Sequence, residues 1–248
     1  MKFKYRNLLK EIKGKIRKIK KEGTKKEGEI IKQLGRSTYL IKRDGEVIIR
    51  KCFAERPSYE KKEILRGIGY WLQLSNIPEI PRVRGFDAKN LCIEVDFING
   101  ETLREIINKK GRILEKEACK IALKIAEVLE RVHQMGFVHR DLKPENIVIR
   151  DDNVFIVDWE FIAKEGEEIL AIVGSAAYSP KDIGERVSAK QDVYSLGVII
   201  NEMVTGSAIA TYAGERQSEL FKIVNDAIAQ KADMKEIRQE LENLLKKR

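Results

Sequence analysis

Asp141, Asn146 and Asp158 are the residues whose types and spacing most clearly carry chemistry. The first two lie in the stretch His139-Arg140-Asp141-Leu142-Lys143-Pro144-Glu145-Asn146, and Asp158 follows the apolar run Phe155, Ile156, Val157. A carboxylate can orient a hydroxyl and accept its proton. An Asn and a second Asp supply the oxygen donors that a hard cation such as Mg²⁺ prefers. Phosphoryl transfer needs these parts together with positive charge for the phosphates. An isolated Asp-x-x-x-x-Asn would be a weak signal, whereas the whole stretch of eight residues is a specific one.

The elements that must position these residues can be read from periodicity and turn chemistry. Ile30 to Leu34 reads as a strand running into Gly35, and Thr38 to Ile41 as a second. Asp44-Gly45 is a hairpin signal, followed by the β-branched run Val47, Ile48, Ile49. Ser58 to Leu74 reads as a helix, broken by Asn76 to Pro81; Val83 to Phe86 and Leu91 to Phe97 read as two more strands. Beyond the Asn99-Gly100 turn, apolar residues recur with helical period in Thr102–Asn108, Glu115–Gln134, Asp192–Thr205 and Ser218–Lys247. Two short strands, Ile147 to Ile149 and Val154 to Val157, flank Asp151-Asp152-Asn153. The expected fold class is α+β: a five-stranded antiparallel sheet with one helix, then a mainly helical unit. The expected boundaries are 1–28 for a basic extension, 29–98 for the sheet unit and 99–248 for the helical unit.

The eight-residue stretch resembles the catalytic loop of eukaryotic-type protein kinases, and Lys143 resembles the Ser/Thr class of them. The resemblance spans roughly residues 29–210 and implies a bilobal protein-kinase-like fold. It implies Asp141 as catalytic base, Lys143 on the γ-phosphate of ATP, and Asn146 and Asp158 as Mg²⁺ ligands. Arg140 would read the activation segment. Leu91 to Leu103 looks like the hinge strand and the start of the next helix, with Val95 as gatekeeper and the backbones of Asp96 and Ile98 on adenine. Gly174-Ser175-Ala176-Ala177-Tyr178-Ser179-Pro180 looks like the end of an activation segment. Asp192 to Gly197 resembles the start of the central helix, with Asp192 bonding the catalytic-loop backbone. The implied activity is transfer of the ATP γ-phosphoryl group to a Ser or Thr hydroxyl of a protein. A small-molecule phosphotransferase on the same fold and a nucleotide-binding pseudokinase scaffold are the alternatives.

Several positions depart from the family's pattern. The glycine-rich loop is reduced to Leu34-Gly35-Arg36-Ser37-Thr38-Tyr39, in which Leu34 and Gly35 are the expected ATP contacts. The strand-3 cation is Arg50 or Lys51; strand alternation and the compact charge of Lys favour Lys51. Its helix partner is Glu60 or Glu63, and the apolar stripe continued by Ile64 and Ile68 favours Glu60. Asp158-Trp159-Glu160 replaces the usual Asp-Phe-Gly, which removes a flexible hinge. No Ser, Thr or Tyr lies between Asp158 and Gly174, so phosphorylation within that stretch is excluded. Glu165, Glu167 and Glu168 could instead face Arg140, or form a solvated turn. Asp182 stands where the family's activation segment ends in Glu, with Arg238 as a candidate partner.

The net charge of +9 is local. Residues 1–28 hold twelve Lys and Arg against three Glu, leaving the remainder close to neutral. Leu8, Leu9, Ile12, Ile16 and Ile19 recur at helical spacing, so a basic amphipathic helix is expected. It would dock on the protein's own body or on an anionic partner: RNA, an acidic protein or a membrane surface. Cys52, Cys92 and Cys119 lie in apolar runs and read as buried thiols. No apolar stretch approaches the ~20 residues of a membrane span, and no signal peptide is visible, so a cytoplasmic location is expected.

Overall fold

The computed structural model describes residues 28–208 and 218–247, together with Lys10, Ile12 and Gly14. It divides into two compact units, Met1–Asn99 and Gly100–Arg248. The expected basic helix lies largely outside the described residues. Of its apolar stripe, Ile12 is described: it is fully buried, with Cγ1 4.0 Å from where a side chain on Gly69 would begin.

In the first unit, β1 (Glu29–Gly35), β2 (Thr38–Arg43), β3 (Glu46–Cys52), β4 (Val83–Asp87) and β5 (Cys92–Asp96) form an antiparallel sheet in the order β1-β2-β3-β5-β4. Asp44 and Gly45 both take positive φ, as a two-residue hairpin between right-twisted strands requires. The β1–β2 connection is equally tight, since Gly35 pairs with Thr38 across Arg36-Ser37. The helix α1 (Ser58–Trp71) buries Ile64, Leu65, Ile68 and Trp71, and the Trp71 indole donates to the Pro81 carbonyl at 2.8 Å.

The register of β3 on β5 places Cys52 opposite Cys92, and the two form a disulfide. The expectation of three buried thiols therefore holds only for Cys119, which is buried and donates to the Leu241 carbonyl at 3.5 Å. Pairing residues 40 apart in sequence depends on strand register, which spacing alone does not reveal.

The second unit is mainly helical: α2 (Leu103–Lys110), α3 (Glu115–Gln134), α4 (Lys190–Thr205), α5 (Glu219–Ile228) and α6 (Met234–Lys246). Short pairs complete it: β6 (Glu101–Thr102) with β8 (Ile147–Arg150), β8 with β9 (Asn153–Ile156), and β7 (Phe137–Val138) with β10 (Ala163–Lys164). Helix α4 is buried nearly all round, with α3 and α5 packed against it. Gly197 permits the α4–α5 approach, because a Cβ there would stand 2.9 Å from that of Ala227.

The span 218–247, expected to be helical, consists of two helices. Gln230 adopts φ +54°, which ends α5, and Asp233 with Glu236 forms a capping box that starts α6. No helix among the described residues is long and apolar enough to cross a membrane.

Candidate active site

The stretch His139–Asn146 runs from β7 to β8. It carries its own brace: Asp192, in the first turn of α4 and fully buried, accepts from the backbone N–H of His139 at 2.8 Å and of Arg140 at 2.9 Å. His133 Nε2 lies 2.9 Å from the same carboxylate. Burial opposes the charge on Asp192, but the His133 hydrogen bond and the other partners outweigh it and hold the carboxyl below the ordinary Asp range. This fixes Arg140 at φ +71°, a left-handed conformation costly for a residue with a side chain. Asp158 also sits in that region, at φ +64°. Two strained non-glycine residues thus lie in the segments that sequence spacing singled out.

Around Asp141 the side chains converge. Its Oδ2 accepts from Lys143 Nζ at 2.8 Å and Asn146 Nδ2 at 3.2 Å, and its Oδ1 from Ser175 Oγ at 3.2 Å. Lys143 Nζ also donates to Ser175 Oγ at 3.0 Å. Asn146 Nδ2 donates to the Asp141 carbonyl at 2.8 Å, which turns the amide oxygen of this buried residue the other way. The Asn146 carbonyl accepts from the Val157 amide at 2.9 Å, and Ile147 pairs with Ile156. The β8–β9 hairpin therefore brings Asp158 to the same end of the ladder as Asn146.

Ser175 was not singled out as a site residue from sequence. Its signal was available only as a hydroxyl in the Gly174–Pro180 segment. Gly174 explains how it reaches Asp141: at φ +95° it has no Cβ, and one placed there would fall 2.6 Å from the Arg140 carbonyl.

Beneath the loop, His139 is fully buried. Its Nε2 faces the Val157 carbonyl at 3.1 Å and its Nδ1 accepts from the Asp141 amide at 3.2 Å, so the ring proton belongs on Nε2. Trp159 meets the ring edge-on at 4.4 Å, is itself fully buried, and donates from Nε1 to the Ile156 carbonyl at 2.7 Å. The segment after Asp158 is thus anchored by packing and a hydrogen bond where the sequence lacks a glycine hinge.

Arg140 donates to the carbonyls of Phe161 at 3.4 Å and Ala171 at 3.2 Å. Glu165 accepts from the Ala189 amide and Glu167 from the Lys164 amide, so both cap backbone groups. Arg238 does not serve Asp182: it pairs with Glu130 and Glu242, while Asp182 accepts from the Gly184 amide. A second network missed from sequence ties the segment down nearby. Arg104 on α2 binds Glu145 at 2.7 Å, Glu202 at 2.6 Å and Tyr178 Oη at 2.5 Å, and Tyr178 donates to Glu202 at 2.6 Å. Desolvation opposes the Arg104 charge, but the Glu202 and Glu145 hydrogen bonds prevail and raise its pKa; burial and Glu202 likewise raise that of Tyr178.

In the first unit, Lys51 is buried, whereas Arg50 lies on the other side of β3 beside Asp87, at 3.3 Å. Glu63 is on the buried side of α1, 2.8 Å from Arg66, and Glu60 is turned to Arg56 at 3.2 Å. The stripe that favoured Glu60 is not the whole buried face, because Gly67 and Gly69 lie on it too. Leu34 and Gly35 lie at the exposed end of β1, where Gln33 Nε2 braces the turn by donating to the Gly35 carbonyl at 3.0 Å. Val95 is buried, and Asp96 is held by Arg82 at 3.0 Å and by Arg84. Ile98 is half-buried just beyond β5.

The chain is 31% identical over 214 residues to calcium-dependent protein kinase 29 of Arabidopsis thaliana, covering 79% of this chain and 40% of that protein. It is 37% identical over 121 residues to a probable serine/threonine-protein kinase of Clostridium perfringens, covering 46% of this chain and 18% of that one. It is also 37% identical over 123 residues to the serine/threonine-protein kinase PknB of Mycolicibacterium smegmatis, covering 46% of this chain and 20% of that one. The chain thus spans from about a fifth to two fifths of the length of these curated relatives. The protein kinase domain family matches residues 17–247, nearly the whole sequence, and the chain belongs to that family.

Proposed function

We propose that the chain transfers the γ-phosphoryl group of ATP to a Ser or Thr hydroxyl of a protein. The observation that carries this reading is the cluster at Asp141, in which one carboxylate is shared by Lys143, Asn146 and Ser175. Asp141 orients the acceptor hydroxyl and takes its proton as the oxygen attacks; the new O–P bond forms as the bond to the ADP oxygen breaks. Lys143 leaves Ser175 to meet the γ-phosphoryl oxygens. Asp192 holds Asp141 in place through the backbone N–H groups on either side of His139.

The residues present fit Mg²⁺. Asn146 has its amide nitrogen committed to Asp141, so an oxygen donor remains, and Asp158 adds a carboxylate at the same ladder end. Among the described residues no group of three or more His, Cys, Asp or Glu gathers as a metal site. The oxygens of Asn146 and Asp158 suit an ion whose remaining ligands come from substrate phosphates. Such an ion would neutralise charge on the phosphates. In the first unit, Lys51 would bind the α- and β-phosphates, with Glu63 rather than Glu60 as its supporting carboxylate. Leu34 and Gly35 would cover the nucleotide. Asp96 spends its N–H on the Arg82 carbonyl, so a bond from Asp96 to adenine would use its own carbonyl, with Ile98 beside it.

Incubation with γ-labelled ATP, Mg²⁺ and a generic basic protein, followed by phosphoamino-acid separation, tests the reading. Label on phosphoserine or phosphothreonine supports it. ATP bound without protein label would turn the search to small-molecule acceptors.

A further inference from the structure

The second unit holds a concavity of about 390 Å³ that none of the catalytic residues lines. Its apolar floor comes from four elements: Ile106 of α2, Ile121 of α3, Ile149 of β8 and Val154 of β9. Four lysines surround the floor. Lys109 and Lys110 are neutralised by Glu101 and by Glu117, the latter at 2.7 Å. Lys120 and Lys124 stand one turn apart on α3, where like charges repel. Among the described residues neither has a carboxylate partner; Lys124 is steered over the cavity by donating to the Asp152 backbone carbonyl. Asp152 also lines the site, so the charge not already paired among the lining residues is two positive against one negative.

We propose that this concavity docks a short acidic segment of another protein. One aliphatic side chain of that segment sits among the isoleucines, and its flanking carboxylates meet Lys120 and Lys124. Charge complementarity selects this occupant. A divalent cation would face the lysines. A nucleotide would find no aromatic ring on which to stack its base. Polyphosphate or nucleic acid would use the lysines but leave the floor unfilled. The volume falls within the range of ligand-sized pockets, and helices and a β-hairpin of one unit frame it, so the site is preformed. The proposal does not depend on phosphoryl transfer.

The test uses the full chain without nucleotide and a fluorescein-labelled heptapeptide, Asp-Glu-Glu-Ile-Glu-Glu-Asp, with fluorescence anisotropy as the readout. The expected result is saturable binding that weakens about tenfold in the double variant K120E/K124E, roughly two surface ion pairs' worth. Binding should weaken comparably when the central Ile of the probe is replaced by Ser. Both substituted lysines are solvent-accessible, and matching circular dichroism will show that the variant is folded. Unchanged affinity in K120E/K124E would overturn the proposal. So would loss of binding only on deletion of residues 1–22, which would assign the acidic peptide to the basic N-terminal segment. Equal affinity for the Ile and Ser probes, with competition by inorganic polyphosphate, would reduce the site to a general polyanion patch and overturn it as well.

Discussion

Replacing Asp192 by Ala should disable the catalytic loop without touching a reacting group. The carboxylate is fully buried and accepts two backbone N–H groups and His133. Hydrogen bonds to a charged group contribute about 1.5–3 kcal/mol each, and each buried donor left unpaired costs about 1–3 kcal/mol. Those figures overlap, and removal of one partner from a buried charged network typically costs about 3–5 kcal/mol in total. The loss should reach the chemistry because Arg140 is held at φ +71° by the same carboxylate. Once released, it can relax toward negative φ and carry Asp141 with it. A displacement of about 1 Å at a reacting group can cost about a hundredfold in rate. Urea unfolding monitored by tryptophan fluorescence, with Trp159 beside His139 as a reporter, should show the stability loss. Single-turnover phosphoryl transfer should show the rate loss. Asn at 192 restores one acceptor but sets an amide donor against a backbone donor, so D192N should fall between Ala and wild type. The acid limb gives a second readout. Because the folded pKa of Asp192 lies below its unfolded value, its stabilisation is fully present above the unfolded pKa and is lost as pH falls through the folded one. D192N should therefore flatten the decline of stability below about pH 4. A D192A protein within about 1 kcal/mol of wild type, turning over at near-normal rate, would refute the reasoning.

The same geometry sets three more expectations. Ser175→Ala removes the hydroxyl that bridges Asp141 and Lys143 and should lower turnover about tenfold, while Ser175→Thr keeps the hydroxyl and most of the activity; equal losses in steady-state assays would point to packing instead. Glu63→Gln should raise the KM for ATP and Glu60→Gln should not, and the opposite order would return the supporting role to Glu60. Arg104→Ala leaves the buried Glu202 without its cation and should cost about 3–5 kcal/mol, measured by thermal or urea unfolding. R104A/E202Q should recover part of that loss, and no recovery would mean that the pair is not the stabilising unit.

The His139–Asn146 stretch stood out because the chemistry proposed for it demands particular residue types at short range. Asp192 was legible for a related reason: the motif at the start of α4 is itself local. Ser175 was not, since its meeting with Asp141 depends on Gly174 folding a distant segment over the loop. The burial of Glu63 was not legible, because two glycines on the buried side of α1 carry no side chain to mark the face. The Cys52–Cys92 bond depends on strand register, and the Arg104 network gathers residues as much as 98 apart. The break between α5 and α6 was readable in principle from Asp233-x-x-Glu236, but the apolar period continued across it and concealed the cap. The tight β1–β2 turn, in contrast, was plain from the missing glycines.

Single-turnover transfer from γ-labelled ATP to a Ser/Thr protein substrate, with wild type and Asp141→Asn side by side across a Mg²⁺ titration, tests the central claim most directly. The variant is near-isosteric and should match wild type in circular dichroism and nucleotide binding while losing at least about a hundredfold in transfer, within the range of general-base contributions. Equal transfer by the two proteins, or labelling that needs no divalent cation, would contradict the assignment of Asp141 as the base and of Asn146 and Asp158 as its metal-holding partners.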